Sequence, residues 1–244
     1  MADQLLSPHQ MEGLWIWSVS MRAQGGRRDP GRGVDLAGSD QIDQLSGEAM
    51  TIEEDVEMYG RVLMALEEIE GCEEFGHLLP EVRTNLVYAR PNPGSPEDVL
   101  AVDGRITMVR GMPHAAGRPR FGASSHMARL IIEVMKRDPA YRAGVNFASD
   151  PGLALWLEGY AGEKGWTYSV IDRRKEPDEI KEREGGSMPW KVSEAIEAAG
   201  GRIPKLFYET GAVGKEPVTV LIGRDPLEVA GEVCEIARSY HASP

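Results

Sequence analysis

Between residues 84 and 223 the chain alternates short β-branched, apolar runs with longer stretches in which apolar positions return every three or four residues. The runs TNLVYA (84–89), RITMVR (105–110), GVNFA (144–148), WTYSVID (166–172), PKLFYE (204–209) and VTVLIG (218–223) predict strands. Helical spacing occupies 97–102 (a short piece), 124–137, 151–163, 176–184, 189–199 and 225–240. A further helix opens at Ile52, where Val56, Tyr59, Val62, Leu63, Leu66 and Ile69 share one face and the acidic residues between them form the solvated side. Gly71 ends that run. Strands interleaved with helices predict an α/β domain of three layers, with helices on both faces of a sheet. Connections such as 89–105 and 209–218 are short or lack a full crossover helix, so the sheet is expected to be mixed rather than purely parallel.

The first 49 residues break the pattern. RAQGGRRDPGRGVDLAGSDQ is rich in glycine and charge and has no period, so residues 1–49 are expected to be a flexible or disordered N-terminal extension, and the Trp15–Trp17 pair is given no function. Residues 50–244 read as one domain without an internal repeat.

Charge then narrows the partners. The chain carries 39 Asp+Glu against 27 Lys+Arg, a net charge of −12, which argues against binding nucleic acid through a basic surface. A local basic pocket for a small anion survives within such a shell. Two distant cysteines, Cys72 and Cys234, form no zinc or disulfide pattern and suit a reducing compartment. No apolar run approaches the roughly 18 residues of a membrane span. The N-terminus lacks a basic, then apolar, leader, so a cytoplasmic location is expected.

Four stretches can carry chemistry. In FGASSHMAR (121–129), Met127, Leu130, Ile131, Val134 and Met135 form an apolar stripe, so a helix begins near Ser124 or Ser125 with a serine as its N-cap. Such an N-terminus, preceded by Gly122, offers N–H donors and positive dipole to an anion, and His126 in the first turn can donate to a phosphate or shuttle a proton. Read alone, these residues are better described as a capped helix with a surface histidine. In DGRITMVRG (103–111), a strand bearing Arg105 and Arg110 leads into a loop with Arg118 and Arg120; these arginines can reach an anion at the helix mouth. In IDRRKEPDEIKEREGGSMPW (171–190), Asp172, Glu182 and Glu184 are candidate Mg²⁺ ligands at a strand end, although a charged surface helix explains them as well. Gly-Gly-Ser before Pro-Trp suggests a backbone that must approach something. ETGAVGKEP (209–217) is a glycine loop carrying Lys215, without Walker spacing. HxH and HExxH spacing, a GxSxG elbow and a GxGxxG turn after a strand are all missing.

Taken together, PEVRTNLVYA, SPEDV, GRI, FGASSHMAR, RDP, DRRKEPDEIKEREGGSMPW and GKEPV resemble the archaeal ThiN-type thiamine-phosphate synthase domain, often fused behind a pyrimidine kinase that this chain lacks. The resemblance runs from the helix near Asp55 to about Ser239. It implies a three-layer α/β/α fold with a mixed sheet, similar to class II aldolases without their zinc. It implies joining hydroxymethylpyrimidine diphosphate to hydroxyethylthiazole phosphate, giving thiamine phosphate and pyrophosphate. The arginine and histidine essential to the family fall on Arg105 and His126. Gly122, Ser124, Ser125, Arg110, Arg120, Arg173 and Lys215 are then expected to bind substrate phosphates, with Mg²⁺ as cofactor; a homodimer is left open. The same fold serves as the ligand-sensing half of thiamine-responsive repressors. Residues 1–50 contain no helix–turn–helix pattern, and the sensors are expected to lose the Arg/His pair that this chain keeps, so the enzyme is the expected reading.

Overall fold

Strand β1 (Leu86–Ala89) explains the layering by itself: Leu86 and Tyr88 enter one core, Val87 and Ala89 the other. Strand β2 (Val99–Val102) repeats the alternation, with Leu100 and Val102 on one side and Val99 and Ala101 on the other. Strands buried on both faces need a layer on each. In the computed structural model, which describes residues 37–182, 186–212 and 215–243, helices α3 (Ser125–Met135) and α6 (Ser187–Ala198) cover one face. The other face is covered by the Met58–Ile69 part of α1 (Ala37–Glu70), by α2 (Glu73–Gly76), α4 (Pro151–Lys164) and α7 (Pro226–His241). A short α5 (Asp178–Glu182) precedes α6. Each fully buried Leu or Ile of these cores stabilises the fold by roughly 1.5–3 kcal/mol.

The remaining strands are β3 (Ile106–Val109), β4 (Met112–Ala115), β5 (Pro119–Phe121), β6 (Ala143–Ala148), β7 (Tyr168–Ile171), β8 (Leu206–Glu209) and β9 (Val218–Gly223). Seven strands form one sheet in the order β5-β2-β1-β6-β9-β8-β7, while β3 and β4 pair as a separate hairpin. Only β7 and β8 run parallel; every other neighbouring pair in the large sheet is antiparallel. The expected mixed α/β sheet is therefore present. Two compact units divide the chain, Met1–Gly47 and Glu48–Pro244, and the sheet belongs to the second.

Local chemistry sets the helix ends. Asp150 and Asp225 cap α4 and α7 by accepting from the backbone N–H groups of Leu153 and Leu227, each followed by a proline at the first helical position. Gly165 ends α4 in the left-handed conformation, φ +67°. Cys72 and Cys234 are both buried free thiols, and burial pushes the Cys234 thiol up.

Several expectations need correction. The helix foreseen from Ile52 begins at Ala37, so residues 37–49 of the expected flexible extension are helical; residues 1–36 lie outside those described. The expected helix at 97–102 is a 3-10 turn, Pro96–Asp98, followed by β2. Ser95 accepts from the Glu97 N–H and Asp98 reaches back to the Ser95 N–H, which caps a turn and releases the chain into a strand. The loop expected over MPHAAGRPR (112–120) holds β4 and most of β5 instead, short strands that proline and glycine disguise.

Candidate functional site

Two adjoining cavities, of about 240 and 290 Å³, open beside the N-terminus of α3 and share His126, Arg173, Lys191 and Lys215 in their walls. The first also has Arg105, Ser124 and Glu209, with an apolar wall of Val82, Met127, Val218 and Val220. The second adds Ser125, Arg129, Ser187 and Met188. Strand β9, the first turns of α3 and α6, and the loops around residues 82–85 and 105 thus converge.

Arg105 is held in an unusual way. It precedes β3 at φ +69°, a left-handed backbone that costs an arginine roughly 1–2 kcal/mol. Its guanidinium donates to the Val82 carbonyl, tying it to the 81–83 loop. That loop is pinned by Glu216, which accepts from the N–H groups of Glu81 and Val82 at 3.0 and 2.6 Å. Arg83, also at positive φ (+67°), lines the same cavity. Strain of this kind persists where surrounding bonds over-determine it, and it concentrates at functional sites.

The helix mouth differs from a simple cap. Ser124 occupies the N-cap position of α3, but its side chain makes no capping bond, contrary to expectation. Gly186 at the N-cap of α6 has no side chain to offer. Both helix N-termini therefore face the second cavity without a bond from their own N-cap side chains, an arrangement that attracts anions. His126 sits where the cavities meet, its ring lining both while the residue stays exposed to solvent. Burial, and then the nearby Lys191 ammonium, push its imidazole down to about 4, so it is neutral near pH 7.

A buried charge cluster forms the floor. Arg173 donates to Glu176 at 2.9 and 3.2 Å and to Glu209 at 3.0 Å, and Lys191 lies 2.5 Å from the same Glu209 Oε2. Arg173, Lys191, Glu176 and Glu209 are all almost fully buried. Burial drags the Lys191 ammonium below its ordinary value, and Glu209 opposes that shift. Two positive and two negative groups balance, so the cluster itself offers little net charge to an anion; Arg105, Arg83, Arg129 and Lys215 supply that. Beside it, Asn85 and Asn146 engage backbone with their amides: Asn85 bonds both polar groups of Val102, and Asn146 accepts from the Asn85 N–H and donates to the Arg83 carbonyl.

The structure brings together Arg105, Ser124, Ser125, His126, Arg173 and Lys215 of the residues singled out in the sequence. It places the others elsewhere. Arg110 and Gly111, both at positive φ, form the two-residue turn joining Val109 to Met112, as a type I′ hairpin requires. Arg120 is exposed and paired with Asp103, and Arg118 likewise lies outside both cavities. Gly122 turns the chain at φ +74°, where a Cβ would meet the Glu97 carboxylate, and it lines neither cavity. Asp172 caps the following 3-10 turn and is engaged by Arg174 at 2.8 Å, which holds its carboxyl down to about 2. Glu184 and the Glu182 side chain lie outside the described residues. Among the described residues, His, Cys, Asp and Glu form no group of three or more that could hold a metal ion.

Sequence reasoning misses Lys191, Glu209, Arg83 and Arg129. Lys191 carries a signal: it falls between Met188, Val192 and Ala195 on the apolar face of α6, where a lone charge is out of place. Glu209 likewise ends an otherwise apolar, buried strand.

Comparison with known proteins is consistent across sequence and structure. Residues 61–235 match the family described as thiamine-phosphate synthase ThiN. The chain is 46% identical over 179 residues to the thiamine-phosphate synthase ThiN of Methanothermobacter thermautotrophicus, covering 73% of this chain and 92% of that protein. It is 34% identical over 165 residues to the bifunctional thiamine biosynthesis protein ThiDN of Methanocaldococcus jannaschii, spanning 37% of that longer protein and 67% of this chain. Among solved structures, the C-terminal domain of a phosphomethylpyrimidine kinase superposes with a TM-score of 0.71 at 36% identity, over 75% of this chain and 99% of that domain. None of the helices described is long and apolar enough to cross a membrane.

Proposed function

Because the chain belongs to the ThiN family of thiamine-phosphate synthases, we propose that the paired cavities around His126 are where it joins its two substrates. Thiamine-phosphate synthesis, a transferase reaction, is its activity; a purely sensing role has no support among these relatives. The substrates are hydroxymethylpyrimidine diphosphate and hydroxyethylthiazole phosphate. The observation that carries the placement is the meeting of Arg105 and His126 with two helix N-termini, neither bonded by its own N-cap side chain, in one basic recess.

The bond from the pyrimidine's methylene carbon to its diphosphate breaks, pyrophosphate leaves with the electron pair, and the thiazole nitrogen supplies the pair for the new bond. The electron-rich aminopyrimidine eases that departure, so the protein has mainly to position two anions and meet the charge that develops on pyrophosphate. Arg105 and His126 serve the leaving group. The N-termini of α3 and α6, with Ser125, Arg129 and Lys215, hold a phosphate. Arg173 keeps the floor of the site in place. Mg²⁺ accompanies the diphosphate, and no step here is assigned to it. We also read the three layers as of the class II aldolase type, and the two reduced, buried cysteines as suited to the cytoplasm.

His126 gives this reading a pH signature. Its imidazole is held below its ordinary value of 6.5, at about 4, so the folded protein takes up fewer protons than the unfolded chain between those limits. Stability associated with this residue is therefore intact above 6.5 and lost as the pH falls toward 4. A diphosphate beside the ring reverses the balance by favouring imidazolium. Titrating the diphosphate substrate at pH 7 in buffers of different ionisation enthalpy is expected to reveal proton uptake on binding, which His126→Gln abolishes. Uptake that is equal in the variant would remove His126 from the anion site.

A further inference from the structure

Glu209 is 3% exposed and lines the first cavity only, yet just one of its oxygens is used. Oε2 takes both cations, Arg173 at 3.0 Å and Lys191 at 2.5 Å. Oε1 is buried without a hydrogen-bond partner among the described residues. An ionised carboxylate oxygen left bare in a low-dielectric wall carries a desolvation cost that a donor from a ligand relieves. The two cations on Oε2 fix the carboxylate plane, so the free oxygen is an acceptor in a set position.

The rest of that cavity narrows what the donor belongs to. Val82, Met127, Val218 and Val220 supply apolar surface suited to a flat ring; Arg83 and Arg105 line this cavity alone, and Arg173, Lys191 and Lys215 lie where it meets the second. The ligand therefore combines a planar, largely apolar body, an N–H donor on one edge and a negative group on another. Resting on the synthase reading, the geometry points to Glu209 as the residue that selects the aminopyrimidine, its Oε1 accepting from the exocyclic amine while the diphosphate extends past His126 to the junction. The thiazole substrate carries no such amine, so the same oxygen tells the two substrates apart and directs the pyrimidine to the first cavity. Glu209 is thus a specificity-determining residue that touches the ring.

The test compares two probes, hydroxymethylpyrimidine monophosphate and its counterpart with hydrogen in place of the amine. The wild-type protein is expected to bind the amine-bearing probe roughly ten- to a hundredfold more tightly, because the counterpart leaves the buried oxygen unpaired. In Glu209→Gln, Arg173 and Lys191 claim the amide oxygen and turn its NH₂ toward the substrate amine, so the preference is expected to fall below about threefold. Thermal denaturation of the variant checks that it is folded. The wild-type ratio needs no variant, which keeps the inference exposed even if the substitution unfolds the chain. Equal wild-type affinity for both probes, alongside normal thiamine phosphate formation, would overturn the role of Glu209 and leave the synthase reading standing. Failure to bind either probe, with no product formed, would sink both.

Discussion

Arg105→Ala is expected to lower kcat for thiamine phosphate formation by two to three orders of magnitude, an effect of about 2.7–4 kcal/mol, typical for loss of one charge-stabilising donor. The guanidinium stands at the mouth of the first cavity, tied to the Val82 carbonyl and carried on a left-handed residue. Alanine bears the same backbone cost as arginine there, so the folded state should change little, and urea midpoints of variant and wild type should nearly coincide. Arg105→Lys keeps the charge but loses the planar fork, and should recover only part of the rate. Steady-state turnover at saturating substrates checks this. Wild-type kcat in a folded Arg105→Ala protein would place the leaving group elsewhere.

Arg173→Ala is expected to act on stability instead, by about 3–5 kcal/mol, because it strips the ion-pair partner from Glu176, leaving it Ser187, and half the support from Glu209 inside the protein. Against a total of roughly 5–15 kcal/mol for a domain of this kind, that is enough to unfold much of the population on modest heating. The reading of Arg173 as a phosphate ligand predicts the opposite: a stable protein with weakened substrate binding. Chemical denaturation followed by far-ultraviolet circular dichroism separates the two. An unchanged midpoint would show that the buried cluster is not what holds the floor of the site.

These two arginines also mark how far the sequence can be read. Periodicity locates β6, β9, α3, α4 and α7 nearly to the residue, because each is long enough for its apolar spacing to dominate. It fails at β2, where Ser-Pro-Glu-Asp reads as a helix start although only one 3-10 turn follows. It fails again at β4 and β5, short strands that contain proline. Arg105 and His126 are visible in the sequence alone, as motif residues. Which arginines accompany them is not, because sequence order runs Arg110, Arg118 and Arg120 up to the helix mouth. The turn of the β3-β4 hairpin carries Arg110 away, and Asp103 holds Arg120 outside the cavities. Arg83 and Lys191 arrive from distant segments through the sheet order. Lys191 and Glu209 look like errors in an apolar pattern, and together they make the polar floor of the site.

The most direct test follows a single turnover with both products measured together. Enzyme in excess of hydroxymethylpyrimidine diphosphate, mixed with thiazole phosphate, is expected to release pyrophosphate and form thiamine phosphate at matching rates and in equal amounts. In folded His126→Ala both rates are expected to fall together, by about a hundredfold or more. Pyrophosphate release at the wild-type rate in that variant would contradict the assignment of this pocket to the departing group.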